Sequence, residues 1–93
     1  MTTIVAKTVV RPGEAQAFIA AAQPLIAASR AEAGCVAYDL YQGADDPCVL
    51  TFIEHWQDEA VASHVASAHF TAIVPLLAQF SDEEMEVCLY KQV

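Results

Sequence analysis

The sequence predicts an α+β fold, a four-stranded antiparallel sheet with its helices on one face. Three observations carry this. Stretches of alternating hydrophobicity and stretches of helical spacing follow in the order strand, helix, strand, strand, helix, strand. Turn-forming residues fall between them, at Arg11-Pro12-Gly13 and at Gly43-Ala44-Asp45-Asp46-Pro47. Ninety-three residues suffice for one domain and no more, so residues 1–93 read as a single unit without repeat, linker or low-complexity tract.

The first strand is expected over Thr3 to Val10, a run rich in β-branched residues. Glu14 opens a helix, its acidic side chain suited to the positive end of the helix dipole. Ala15, Phe18, Ile19, Ala22, Leu25 and Ile26 form its apolar stripe. Pro24 removes one backbone hydrogen bond and should bend this helix, and Gly34 suits the left-handed position beyond its end. Cys35 to Gln42 alternates as a second strand, with Val36, Tyr38 and Leu40 on one face and Ala37, Asp39 and Tyr41 on the other. In the third strand, Cys48 to Trp56, Leu50, Phe52, Glu54 and Trp56 share one face and Val49, Thr51, Ile53 and His55 the opposite one. Asp58-Glu59 begins a second helical region with Val61, His64 and Val65 on one stripe. Ser67 is an expected N-cap for a further helix carrying Phe70, Ile73, Val74, Leu77 and Phe80, bent at Pro75. Glu84 to Val93 alternates as a fourth strand.

This order is the split β-α-β arrangement of a ferredoxin-like βαββαβ domain. Helices cover one face of such a sheet, yet the third strand is apolar on both, so the other face needs cover too. A homodimer that pairs two sheets face to face, closing a dimeric α+β barrel, supplies it. The hydrophobic fraction of 56% and the mean hydropathy of +0.36 point the same way, since a chain this short buries only about 60% of its unfolded surface alone.

Four basic and twelve acidic residues give a formal net charge of −8. No basic footprint exists for phosphate backbones or anionic lipid, which argues against nucleic acid and membrane partners and for a small, neutral or apolar ligand. Cys35, Cys48 and Cys88 are too few and too scattered for a disulfide framework or a zinc knuckle, and are expected as reduced, half-buried strand residues. With no signal-like start and no apolar run of membrane-spanning length, a cytoplasmic location is expected.

Two segments carry a family resemblance. Glu54-His55-Trp56-Gln57-Asp58-Glu59-Ala60, followed by His64, Ser67, His69 and Phe70, is similar to the pattern E-x-W-x-D-x-x-A…H-x-x-S-x-H-F, with a shift of one at the alanine. Ser29-Arg30-Ala31-Glu32-Ala33-Gly34-Cys35, followed by Tyr38, Asp39 and Leu40, is similar to S-R-x-E-P-G-C…Y-x-L. On these residues the chain resembles the antibiotic biosynthesis monooxygenase family, over essentially its whole length. The resemblance implies a dimeric α+β barrel with a pocket between the sheet and the helices of each subunit. It further implies one of several chemistries: oxygenation of quinols or polyketide anthrones without metal, flavin or haem, isomerisation of a small phosphorylated dione, or haem degradation. The haem-degrading branch carries an asparagine in the first strand and a tryptophan and a histidine in the helical region. Here those positions fall on a strand without asparagine, on His64 and on Val74, which argues against haem.

Oxygenation without a cofactor requires a substrate made electron-rich by deprotonation, hence a base near neutral pKa, a donor for the developing oxyanion and a dry pocket. His64 is the leading candidate base, because histidine titrates in the right range and this one sits in an apolar stripe. Glu54 places a carboxylate on an otherwise apolar strand face, from where it could fix the tautomer of His64. Tyr38 is the candidate donor. Phe52, Trp56 and Phe70 are expected to wall in a flat substrate, and His69 to add a polar contact. Each has a plainer structural role available: His64, Tyr38 and Trp56 as core residues, Glu54 bonding helix backbone, His69 as a cap or dimer contact, and Lys7 as a strand residue that snorkels to water. Metal ligation by His55, His64, His69 and Glu54 is argued against, because His64 and His69 lack i, i+4 spacing and His55 faces away from Glu54.

The expected function is therefore a cofactor-independent monooxygenase that takes a small quinol-like, phenolic or polyketide-like aromatic substrate and molecular oxygen. The alternatives are an isomerase of a small dicarbonyl metabolite and a non-catalytic ligand-binding domain on the same scaffold. The fold itself hosts several chemistries.

Overall fold

The computed structural model describes residues 1–93. Its elements are β1 (Thr2–Val9), α1 (Ala15–Arg30), β2 (Cys35–Gln42), β3 (Val49–Trp56), a 3₁₀ turn (Asp58–Ala60), α2 (Val61–Val65), α3 (Ala68–Ala78) and β4 (Glu86–Lys91). The sheet order is β2-β3-β1-β4, with every neighbouring pair antiparallel. This is the expected ferredoxin-like α+β fold. The first strand begins one residue earlier than alternation suggested, and the last is shorter at both ends. Val10, placed in the first strand by sequence, still donates its N–H to the Cys48 carbonyl just past the end of β1.

The register sets the site. Tyr38 on β2 lies opposite Glu54 on β3, Glu54 opposite Ile4 on β1, and Ile4 opposite Leu89 on β4. Because directly opposed residues in an antiparallel pair share a face, this row crosses the whole sheet on its helix-covered side. The next row is Leu40, Phe52, Ala6 and Val87. Phe18, Ala22, Leu25 and Ile26 of α1 and Leu77 of α3 close over these rows. With Leu50, Phe52 and Trp56 they form one core.

The alternation expected for β2 breaks at its start. The pairing shifts between Cys35 and Ala37, so Val36 is the extra residue of a bulge and is left exposed rather than sharing the face of Tyr38. Cys35 pairs with Trp56 instead.

Two local devices fix the helices. Ser67 caps α3: its Oγ accepts from the Phe70 N–H at 3.3 Å and donates to the His64 carbonyl at 2.6 Å, which ties the end of α2 to the start of α3. Gly34, in the turn from α1 to β2, has φ +87°, and a Cβ there would lie 2.6 Å from the Ala60 side chain. Only glycine satisfies both the left-handed backbone and the close approach. The Gly34 carbonyl accepts from the Gln57 N–H at 2.8 Å. The α1–β2 turn is thereby held against the 3₁₀ turn that leads into α2.

The opposite sheet face carries Val5, Val49, Thr51 and Ile53, half-buried within one chain, together with His55, which bonds Thr3 Oγ1 at 2.9 Å. No helix lies over it. No single helix is long and apolar enough to cross a membrane.

Candidate active site

A cavity of about 270 Å³ opens between the β1–β4 half of the sheet and helices α2 and α3. Ile4, Ala6 and Phe52 form its floor, Val61, Val65, Phe70 and Val74 its helical wall, and Val87 and Leu89 its outer rim. Beside these apolar groups it is lined by Glu54, His64 and the phenol-bearing Tyr38. A binding site of this kind sets a few polar groups in an apolar shell.

His64 is 1% exposed. Its ring lies 4.2 Å from that of Trp56 at a 32° tilt, with Tyr38 and Phe70 packed edge-on at 5.7 and 5.3 Å. Rings on three sides leave the imidazole little rotational freedom. Its Nδ1 lies 2.6 Å from Glu32 Oε2, and the same oxygen lies 2.8 Å from His69 Nε2. Burial pushes the Glu32 carboxyl upward, but the hydrogen bonds from His64 and His69 outweigh it and hold the group below the usual carboxylate range. An ionised carboxylate only accepts, so both imidazoles donate to it. In the neutral His64 ring this is the Nδ1–H tautomer, with the lone pair on Nε2.

His64 Nε2 is 3.7 Å from Glu54 Oε1, beyond hydrogen-bond length. Glu54 Oε1 instead accepts from Trp56 Nε1 at 2.9 Å. Burial is the main influence on Glu54 and raises its pKa to about 7, the Trp56 hydrogen bond opposing and the Glu32 charge adding to the rise. Burial thus brings this carboxyl towards the neutral range. Burial, reinforced by the Glu54 charge, also pushes the Tyr38 phenol up, which keeps it a donor.

Of the residues singled out in the sequence, Tyr38, Phe52, Glu54, His64 and Phe70 line this one cavity. Two stand elsewhere. Trp56, expected as substrate wall, is fully buried behind Glu54 and His64 and does not line the cavity, because its ring is needed to stack on His64 and to donate to Glu54. His69, expected as a polar substrate contact, turns away from the cavity to Glu32. The tautomer-fixing role foreseen for Glu54 falls to Glu32, which sequence reasoning missed. Its signal was its place in the Ser29–Cys35 segment. Arg30 in that segment donates to the Tyr38 carbonyl at 3.0 Å and to Asp39 at 2.9 Å, binding the turn to β2.

An antiparallel sheet backed by helices, with an imidazole between two carboxylates beside an apolar cavity, defines an α+β domain with a cluster of titratable groups at one pocket. The chain belongs to the antibiotic biosynthesis monooxygenase family, whose model matches residues 1–76, and this membership supports a monooxygenase-like function. YcnE of Bacillus subtilis (strain 168), itself only proposed to be a monooxygenase, is 36% identical over 66 residues, 70% of each chain. The Synechocystis protein sll1783 is 29% identical over 83 residues, and the chain spans 56% of its length. Among solved structures, a conserved protein of Methanosarcina mazei Go1 superposes with a TM-score of 0.95 at 34% identity, over 99% of this chain and 92% of that one. A crystal structure described as an antibiotic biosynthesis monooxygenase gives 0.92 at 32% identity, over 100% and 99%.

Proposed function

We propose that the protein is a cofactor-independent monooxygenase of a small quinol or phenolic aromatic compound, working as a homodimer. The observation that carries this is the His64 imidazole, with Nδ1 bonded to an ionised Glu32 and Nε2 on the side of Glu54 and the cavity. A substrate hydroxyl placed in the cavity gives its proton to Nε2. Glu32 stabilises the imidazolium that results, as a carboxylate behind a catalytic imidazole does. Tyr38 donates to the remaining substrate oxygen. The electron-rich anion can then reduce molecular oxygen. For a quinol the balance closes without another reductant: quinol and O₂ give a hydroxyquinone and water, the quinol supplying all the electrons. An apolar shell excludes water from the reactive anion. The cavity exceeds the roughly 150 Å³ that accommodates a benzene ring, which suits a substrate of one or two rings.

The homodimer reading rests on the uncovered face of the sheet, where Val5, Val49, Thr51 and Ile53 stand on the side away from the helices.

The test is oxygen uptake with a panel of hydroquinones and naphthoquinols, comparing wild type with His64→Ala. Uptake with hydroxyquinone formation in wild type, lost in the variant, is expected. No uptake, or uptake unchanged in the variant, overturns the reading. Conversion of a dicarbonyl substrate under strict anaerobiosis would assign the same base to an isomerase.

A further inference from the structure

Glu32, His64 and His69 meet on the side of the imidazole away from the cavity. One ligand atom from each, a carboxylate oxygen, an Nδ1 and an Nε2, lie within 4.8 Å of one another. Spacing along the chain argues against a metal held by His55, His64, His69 and Glu54, a set that lacks Glu32. His55 indeed faces the other side of the sheet. The third ligand comes from the α1–β2 turn, which sequence spacing does not place.

We propose that Glu32, His64 and His69 form a binding site for a divalent cation of the zinc class. Two imidazoles and one carboxylate are a donor set that zinc takes, with a fourth position left for water. The donors are close: bonds of about 2.0–2.2 Å to one ion require the Glu32 oxygen to part slightly from each nitrogen, and the two nitrogens already lie within 4.8 Å of each other. Glu32, with 16% of its side chain exposed, and His69, with 22%, stand at the surface and give the ion a route in, while His64 is held rigid behind them. The ion takes the place of the two protons now shared with Glu32. His64 must then carry its proton on Nε2, and that atom points at Glu54, 3.7 Å away. A carboxylate behind a ligating imidazole is the usual companion of such a site, and it orients the ring and raises its basicity.

Occupancy has a consequence that rests on the monooxygenase reading. With Nδ1 on the metal and Nε2 protonated, His64 holds no lone pair for the substrate, so the bound ion inhibits reversibly.

The experiment titrates the untagged protein with Zn²⁺ by calorimetry and with Co²⁺ by visible absorption. One ion per chain is expected, with the intense visible bands of four-coordinate Co²⁺. Affinity should fall at least tenfold in Glu32→Gln and again in His69→Ala, the two ligands nearest the surface. No binding, or affinity unchanged in both variants, overturns the site. Circular dichroism of the metal-free variants confirms that they are folded. Oxygen uptake with and without Zn²⁺ is read separately: absent uptake overturns the monooxygenase reading and leaves the binding result standing.

Discussion

Glu32 Oε2 lies 2.6 Å from His64 Nδ1, across 32 residues of chain. The contact exists because the α1–β2 turn is pressed onto the 3₁₀ turn that starts the second helical region, glycine against alanine. In the proposed mechanism it leaves the other nitrogen of a buried imidazole to act as the base. Replacing that carboxylate should therefore remove basicity without removing the ring.

Glu32→Gln is expected to lower kcat by about a hundredfold or more, within the range attributed to a general base, with little change in KM. An amide can accept from one imidazole, but it cannot balance the imidazolium charge. Steady-state oxygen uptake across pH checks this, and a Glu32→Asp variant should recover part of the loss. Wild-type kcat in the Gln variant would remove Glu32 from the mechanism.

Much of this site could be read in the chain itself. Alternation along β3 put Leu50, Phe52, Glu54 and Trp56 on one face, and all four are buried there. The restart at Ser67 marks a real cap, which is why the sequence places His64 and Phe70 in successive helical segments, as α2 and α3 have them. What escaped was whatever depends on packing between distant segments. Glu32 sits just past a helix end, where an acidic residue is ordinarily solvated, and nothing local distinguishes it. Val36 obeyed the alternation and was displaced by a bulge. Trp56 shares a face with Glu54, but a face is not a cavity: the helices cover that end of the strand completely.

Gly34 tests the packing that brings Glu32 to His64. Gly34→Ala meets both a φ of +87° and a side-chain carbon at 2.6 Å. The backbone term alone costs about 1–3 kcal/mol, and the clash must move the turn or the 3₁₀ segment. Urea unfolding should show the loss of stability. The residual folded protein should also lose the proposed activity beyond what its folded fraction explains, since the turn carries Glu32. Unchanged stability would mean that the turn is not held as described.

The uncovered sheet face carries the homodimer reading, and Ile53 stands in it with its neighbours Thr51 and His55. Ile53→Lys places a charge where a second sheet would pack, at a site that is half-buried within one chain. Light scattering should read a dimer for wild type and a monomer for the variant. A wild-type monomer, or a variant that dimerises equally well, would move the interface elsewhere or abolish it.

Glu54 sets the pH dependence. Its folded pKa of about 7 lies above the ordinary 4.5 because burial disfavours the charge more than the Trp56 hydrogen bond favours it. The folded state therefore holds the proton more tightly than the unfolded chain does. Its stabilising effect is complete below pH 4.5 and is lost progressively as pH rises from there through about 7. The whole effect is about 3 kcal/mol at most. Glu54→Gln keeps an oxygen to accept from Trp56 but cannot ionise. Its unfolding free energy should be flatter between pH 5 and pH 8, roughly the interval over which the wild-type group titrates, and should exceed that of wild type at the upper end. Urea titrations at several pH values read both slopes directly. If the two proteins show the same slope, Glu54 is ionised throughout and the cavity floor is more polar than its apolar lining implies.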